Sequence, residues 1–236
     1  MADLFTCYLG QVPYQQTWNW QKTLRTLRQQ DRLPDLLLLV EHPPTYTCGR
    51  STRPEHLPTA AALPSPEPEL YEIERGGSIT YHGPGQLVGY PILDLKQRQR
   101  DLHLYIRNLE TALIETLADF NLDAGVRPGL TGVWVEEHKI AAIGVYVSQW
   151  ITMHGFALNI APELAYFHAI RPCGLDAEAV ISMATLLGNP PLLEDVIAAV
   201  QNRFAQVFAA TPIDGSWDQL LATAQQHCPD FAKQLD

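Results

Sequence analysis

Three stretches of the chain hold residue types that chemistry needs. Lys139 heads the run Lys139-Ile-Ala-Ala-Ile-Gly144, one cation followed by five uncharged residues. A lysine so placed caps an exposed strand end or faces a dry pocket, where lost solvation disfavours the ammonium and makes the amine a usable base near neutral pH. In Arg171-Pro-Cys-Gly174, Cys173 sits between a rigid proline and a permissive glycine. A thiolate there is a strong nucleophile when a cation lies near, and the thiol is core filler otherwise. The third stretch, Arg75-Gly-Gly-Ser-Ile-Thr-Tyr-His-Gly-Pro-Gly-Gln-Leu-Val-Gly89, carries five glycines in fifteen residues. Glycines in that number let the main chain come close to a ligand, or simply make a glycine-rich hairpin. The stretch lacks the lysine of a Walker loop, and Gly83-Pro-Gly85-Gln-Leu-Val-Gly89 is spaced GxGxxxG with a proline inside, so the dinucleotide fingerprint fails too. His82 and His154 fit a donating role or that of hydrogen-bonded structural histidines. No HExxH, EF-hand loop or GxSxG elbow occurs, which leaves metalloprotease, calcium-sensor and α/β-hydrolase chemistry unsupported.

The elements that must position these residues belong to an ordinary globular chain. With 236 residues, 46% apolar and 18% charged, it has enough material for a sizeable core without metal or disulfide staples. Cys7, Cys48, Cys173 and Cys228 are far apart and form no CxxC pair, and no apolar secretory run follows Met1-Ala-Asp-Leu4, so reduced thiols and a cytoplasmic location are expected. Residues 140–162 contain no Asp, Glu, Lys or Arg, but Ser148, His154 and Asn159 interrupt them in strand-like alternation, which argues against a membrane span. The net charge of −10 is uneven: residues 1–110 hold 11 basic and 12 acidic side chains, residues 111–236 hold 5 and 14. General nucleic-acid binding is disfavoured. A basic patch for an acidic partner can form only in the first half, from Arg50, Arg53, Arg75, Lys96, Arg98, Arg100 and Arg107.

Periodicity predicts a strand over 4–9, a helix over 14–30 and a doubly buried strand over the apolar run 35–41, closed by His42-Pro43-Pro44. Four prolines in residues 57–70 mark an exposed surface insertion rather than a domain boundary. Strands are expected at 71–75, 78–81 and 87–95, and a helix over 101–120 with Leu102, Tyr105, Ile106, Leu109, Leu113, Leu117 and Phe120 on one face. An antiparallel meander over 131–135, 139–147 and 150–160 follows. Helices are expected at 179–187, 192–210 and 216–227, with no strand signal among them. The fold class is α/β (α+β), a mixed β-sheet flanked by helices, in a single domain over 1–236.

Taken together, Glu41-His-Pro-Pro-Thr-Tyr-Thr-Cys-Gly-Arg50, the block Arg75 to Leu95, Pro128-Gly-Leu-Thr-Gly-Val-Trp134, Lys139 to Gly144, His154-Gly-Phe-Ala-Leu-Asn159 and Arg171-Pro-Cys-Gly174 resemble the lipoyl(octanoyl) transferase family, in order from about residue 36 to 187. The resemblance implies a fold like that of lipoate and biotin protein ligases, and transfer of octanoyl from octanoyl-acyl carrier protein to a lysine on apo lipoyl domains, those of 2-oxoacid dehydrogenase E2 subunits and the glycine cleavage H protein. By matching motifs, Cys173 carries the acyl thioester and Lys139 activates it. Arg75, Gly76, Gly77, Ser78, Ile79, Thr80, Tyr81 and His82, then Ala142, Ile143 and Gly144, then Gly155, Phe156 and Ala157 match the substrate-binding segments. No cofactor, metal, nucleic acid or membrane is implied. Two departures stand out: the proline-rich insertion is longer than usual, and Ala142 replaces a common serine. An ATP-dependent lipoate ligase and a non-catalytic lipoyl-domain or carrier-binding protein are the competing readings.

Overall fold

The structure is a computed structural model and describes residues 2–59, 63–171, 179–229 and 231. Its centre is Asp35-Leu-Leu-Leu-Leu-Val-Glu41, strand β2 (Asp35–Glu41), buried on both faces as its unbroken apolar run demands. Leu37 and Leu39 point into one core while Leu36, Leu38 and Val40 point into the other. Around it an eight-stranded mixed sheet runs in the order β11-β1-β2-β6-β10-β9-β8-β7. The strands are β1 (Ala2–Gln11), β6 (Gln86–Ile92), β7 (Gly125–Arg127), β8 (Leu130–Val135), β9 (His138–Ser148), β10 (Ile151–Asn159) and β11 (Ala210–Asp214). A second sheet, β4-β3-β5, is built from β3 (Thr45–Cys48), β4 (Glu69–Glu72) and β5 (Ile79–His82).

Helices α1 (Tyr14–Gln29) and α6 (Trp217–His227) bring Trp20, Leu24, Leu27, Leu220 and Ala224 to one face of the large sheet. The other face is covered by α2 (Leu102–Ala118) and α5 (Leu193–Val207), through Leu109, Leu113, Val196, Val200 and Phe204. Asp101 caps α2, accepting the Leu104 amide at 3.1 Å, and so starts the helix where the pattern expects it. Two shorter helices, α3 (Ala165–His168) and α4 (Met183–Leu187), lie beside the small sheet and after residue 179.

The structure departs from the pattern in several places. Leu102, expected on the buried face of α2, is exposed, since it belongs to the first turn, before the helix meets the sheet. The expected strand over 71–75 lies instead at Glu69–Glu72, pulled into parallel register with Thr45–Cys48. The C-terminal region is not wholly helical. Ala210–Asp214 is an edge strand parallel to β1, and the helix expected over 179–187 begins only at Met183. Among the described residues of 57–68 there is no helix or strand, and the Pro66 carbonyl accepts the Tyr166 hydroxyl at 3.0 Å, tying this stretch to α3. No helix among the described residues is long and apolar enough to cross a membrane.

A buried ionic knot fixes β2 to its surroundings. Asp35, 1% exposed, accepts Arg28 Nε at 2.8 Å, the Asp94 amide at 2.9 Å and Arg98 Nη2 at 3.0 Å. Removing the carboxylate takes one ionic partner from each of Arg28 and Arg98 and leaves the buried Asp94 amide without its acceptor, though Arg28 keeps Asp31 and Asp94. Asp35→Ala should therefore cost about 3–5 kcal/mol, read as a lowered urea midpoint; a midpoint equal to wild type would show that the knot carries no stability.

Candidate functional site

Lys139 sits where β8 and β9 turn into each other. Glu136 adopts φ +51° in the tight turn, and Trp134 faces Lys139 across the hairpin. The Lys139 side chain is 8% exposed, with Nζ 4.8 Å from the centre of the Trp134 ring, whose π-face favours a cation. Gly132 makes room for the lysine stem. At φ +126° its position disfavours any side chain, and a Cβ there would lie 2.6 Å from the Ala141 carbonyl oxygen and 3.3 Å from Lys139 Cε. Its amide donates to buried Glu110 Oε1 at 3.1 Å. The motif Pro128-Gly-Leu-Thr-Gly-Val-Trp134 is thus the seat of Lys139.

Cys173, expected as the nucleophile, falls within residues 172–178, outside the described residues. Both flanks of that segment are defined. The Arg171 amide donates to the His56 carbonyl at 3.2 Å, beside the small sheet. From residue 179 onward the chain returns alongside Lys139: Val180 pairs with it in a parallel bridge, and the Ile181 amide donates to the Lys139 carbonyl at 3.1 Å.

Three residues along β9 from Lys139, a cavity opens between β5, β6, β9, β10 and α1, with about 450 Å³ of empty space including its mouth. Of the fourteen residues expected to bind substrate, Arg75, Gly77, Thr80, His82, Ala142, Ile143, Gly144, Gly155, Phe156 and Ala157 line it. The other four do not, and strand geometry explains two of them. Along β5, Thr80 and His82 face the cavity while Ile79 and Tyr81 point into the small core, where Tyr81 stacks on Tyr166 at 4.5 Å. Ser78 bonds His56 at 2.6 Å, and the Gly76 amide donates to the Val145 carbonyl at 2.9 Å. Gly144 is required by close approach, since a Cβ would meet Arg75 Cδ at 2.8 Å. Tyr14, Val88, Tyr90 and His154 complete the wall. Tyr14 and Tyr90 come from elements far apart in sequence and carry no local signal; His154 is among the histidines that the sequence does single out.

A directional chain of hydrogen bonds leaves this wall. Arg75 Nη2 donates to Thr47 Oγ1 at 2.9 Å and to the Thr47 carbonyl at 2.6 Å. Thr47 Oγ1 lies 3.2 Å from His82 Nε2, and His82 Nδ1 lies 2.8 Å from Gln86 Oε1. Gln86 Nε2 donates to Asn159 Oδ1 at 2.9 Å, and Asn159 Nδ2 donates to the Ile181 carbonyl at 3.0 Å. The end groups set every orientation between them, so His82 donates from Nδ1 and accepts at Nε2. Burial, together with nearby His42 and Arg75, pushes the His82 pKa well below its ordinary value and keeps the ring neutral.

Two further histidines flank the cavity. His42 Nδ1 donates to the Val12 carbonyl at 2.7 Å and Nε2 accepts the Tyr90 hydroxyl at 2.6 Å; full burial pushes its pKa down to about 4. His154 is 2% exposed with φ +57°, and its amide donates to Gln21 Oε1 at 2.9 Å. Burial lowers its pKa against the pull of Glu74, whose Oε2 lies 3.7 Å from Nε2.

Comparison with known proteins gives a consistent set of relatives. The family described as Lipoyl protein ligase A/B catalytic domain matches residues 13–205. An octanoyltransferase of Gloeobacter violaceus is 48% identical over 216 residues, covering 90% of this chain and 94% of its own. One of Synechococcus elongatus is 49% identical over 215 residues, covering 90% and 91%. In fold the chain is similar to a lipoate-protein ligase A solved with ATP bound, with TM-score 0.78 at 14% identity over 98% of this chain and 94% of that one. A biotin protein ligase from Aquifex aeolicus is more distant, with TM-score 0.51 at 13% identity over 89% and 70%.

The three buried histidines predict how stability responds to acid. Each has a folded pKa below the unfolded value near 6.5, so below that pH the unfolded chain binds protons that the folded one refuses. Their stabilisation is complete above pH 6.5 and is lost as the pH falls, for His42 down to about 4. Each titration adds a slope of up to about 1.4 kcal/mol per pH unit. Urea midpoints should drop steadily from pH 7 to 4.5, and less steeply in His42→Gln; a flat wild-type profile would contradict the assignment of neutral, buried rings.

Proposed function

The chain belongs to the lipoyl protein ligase A/B catalytic-domain family and is an acyltransferase, and we propose that it moves octanoyl from octanoyl-acyl carrier protein to the ε-amine of a specific lysine on lipoyl domains, through a thioester on Cys173. The observation that carries this reading is the relation of Lys139 to its neighbours. The lysine heads the strand whose next residues line an apolar slot, and the chain returning from Cys173 is hydrogen-bonded to the Lys139 main chain. The acceptors on this reading include E2 subunits of 2-oxoacid dehydrogenases and the glycine cleavage H protein, and the enzyme is cytoplasmic.

The chemistry balances without a nucleotide. Lys139 takes the Cys173 proton, the sulfur adds to the donor carbonyl, and the carbon–sulfur bond to the carrier breaks. The lysine ammonium then protonates the departing carrier thiolate. One thioester replaces another, so the intermediate stays reactive. In the second half the neutral acceptor amine adds to the thioester carbonyl, the carbon–sulfur bond to Cys173 breaks, the amine proton passes through Lys139 to the released sulfur, and a stable amide remains. Burying roughly seven acyl carbons at about 0.8 kcal/mol each contributes on the order of 5 kcal/mol.

Intact mass after incubation with octanoyl carrier protein should show one added octanoyl group on wild type and none on Cys173→Ala, while Lys139→Ala should slow acylation by about a hundredfold or more. An unmodified wild type, or formation of an acyl adenylate with Cys173 dispensable, would replace this reading with that of a ligase.

Charge pairing narrows where the donor docks. Lys96 pairs with Asp94 at 3.4 Å, Arg98 with buried Asp35 at 3.0 Å, and Arg107 with buried Glu110. These cations serve the fold. Arg50 and Arg53 are exposed, and Arg53 pairs with exposed Glu55 at 3.8 Å. Their loop touches both sides of the site: the Arg50 amide donates to the Arg75 carbonyl at 3.0 Å, and the turn after Arg53 holds Arg171. Arg50→Glu and Arg53→Glu should raise the donor KM several-fold and flatten its salt dependence, with exposed Arg100→Glu as the inert control. Equal effects at all three positions would move the docking face elsewhere.

A further inference from the structure

We infer that Asn159 is a positioning residue for the first chemical step, holding Ile181, on the chain that follows Cys173, in register with Lys139. The inference rests on the reading of Cys173 and Lys139 given above. Ile181 is pinned on both sides, its amide donating to the Lys139 carbonyl at 3.1 Å and its carbonyl accepting Asn159 Nδ2 at 3.0 Å. The chain from Val180 to Ile181 therefore has one register against β9, and Cys173 lies eight positions before Ile181. Asn159 is 4% exposed and is itself held by Gln86, its β-ladder partner, which is 1% exposed. Neither Asn159 nor Ile181 lines the acyl cavity, so loosening the pin should alter reaction geometry and leave chain binding unchanged.

The direction of the hydrogen bonds supplies the test. Asn159→Asp keeps the size and the oxygen that accepts from Gln86, but turns a carboxylate oxygen toward the Ile181 carbonyl. Asn159→Leu removes the donor without adding charge. Gln86→Glu breaks the same chain one step earlier, leaving Asn159 Oδ1 without its donor. Each variant should retain cooperative unfolding above the assay temperature. Single-turnover acylation of Cys173, followed by intact mass at saturating octanoyl carrier protein, should slow by at least about tenfold, with the donor KM within about twofold of wild type. The midpoint of the pH–rate profile should also move to that of Lys139→Ala, the profile of a thiol working without its lysine. A merely structural role would leave that midpoint where wild type has it, whatever the loss of thermal stability. Wild-type rates, or slowed rates with the wild-type midpoint, would overturn the positioning role alone. A wild type that takes up no octanoyl on Cys173 would overturn the underlying enzymatic reading, and the two failures are thereby distinct.

Discussion

A guanidinium can only donate hydrogen bonds and a carbonyl oxygen can only accept them, and the polar interior of this protein is strung between one of each. Arg75 stands at one end and the Ile181 carbonyl at the other, with Thr47, His82, Gln86 and Asn159 between them, all buried. The two ends leave each amide and the imidazole one orientation. A charged His82 would turn the Thr47 hydroxyl into an acceptor for both Arg75 and the ring and set two cations in the same buried run; burial first, with His42 and Arg75 near, keeps the ring neutral. Losing one member leaves its neighbours as unpaired buried polar groups, at about 1–3 kcal/mol each. The chain thus acts as a unit, from the cavity wall to the strand beside Lys139.

That unit and the cavity share their first member. Arg75 lines the cavity, and its side chain fits because Gly144 has no Cβ to meet Cδ at 2.8 Å. Residues of β9 and β10 form one side of the slot, and alternate residues of β5 form another. Small residues on these strands, Ala142, Gly144, Gly155 and Ala157, leave the space, and buried rings from Tyr14, Tyr90 and Phe156 close it. On the other side of Ala142 the same strand carries Lys139, held by Trp134 and Gly132. One strand therefore fixes both a wall of the cavity and the amine three residues away.

Much of this was legible in the sequence wherever a segment's environment is uniform. The five apolar residues of β2 announce a doubly buried strand, and the spacing of Leu109, Leu113 and Leu117 announces α2. Strand β5 was legible as a strand, yet only alternation in a known sheet separates Thr80 and His82 from Ile79 and Tyr81. Strands β3, β7 and β11 were not expected. They hold three to five residues each, β11 contains Pro212, and their pairing partners rather than their own composition make them strands. Tyr14 and Tyr90 reach the cavity by tertiary contact alone, and although histidine is enriched in the left-handed region, nothing in the alternating pattern of β10 marks His154 as the residue that adopts it.

The most consequential departure is the short run before Met183. Helical spacing from 179 onward is genuine, but Ser182 accepts the Thr185 amide at 3.2 Å and starts the helix only there. Upstream of that cap, Val180 and Ile181 are β-branched and lie beside Lys139, where an extended peptide can satisfy both its amide and its carbonyl against β9 and Asn159. A helix through these residues would turn the same groups inward on itself and release Asn159. Local propensity loses at the point where the chain returns to the lysine, which is where a sequence selected for a site rather than for regularity should break its own pattern.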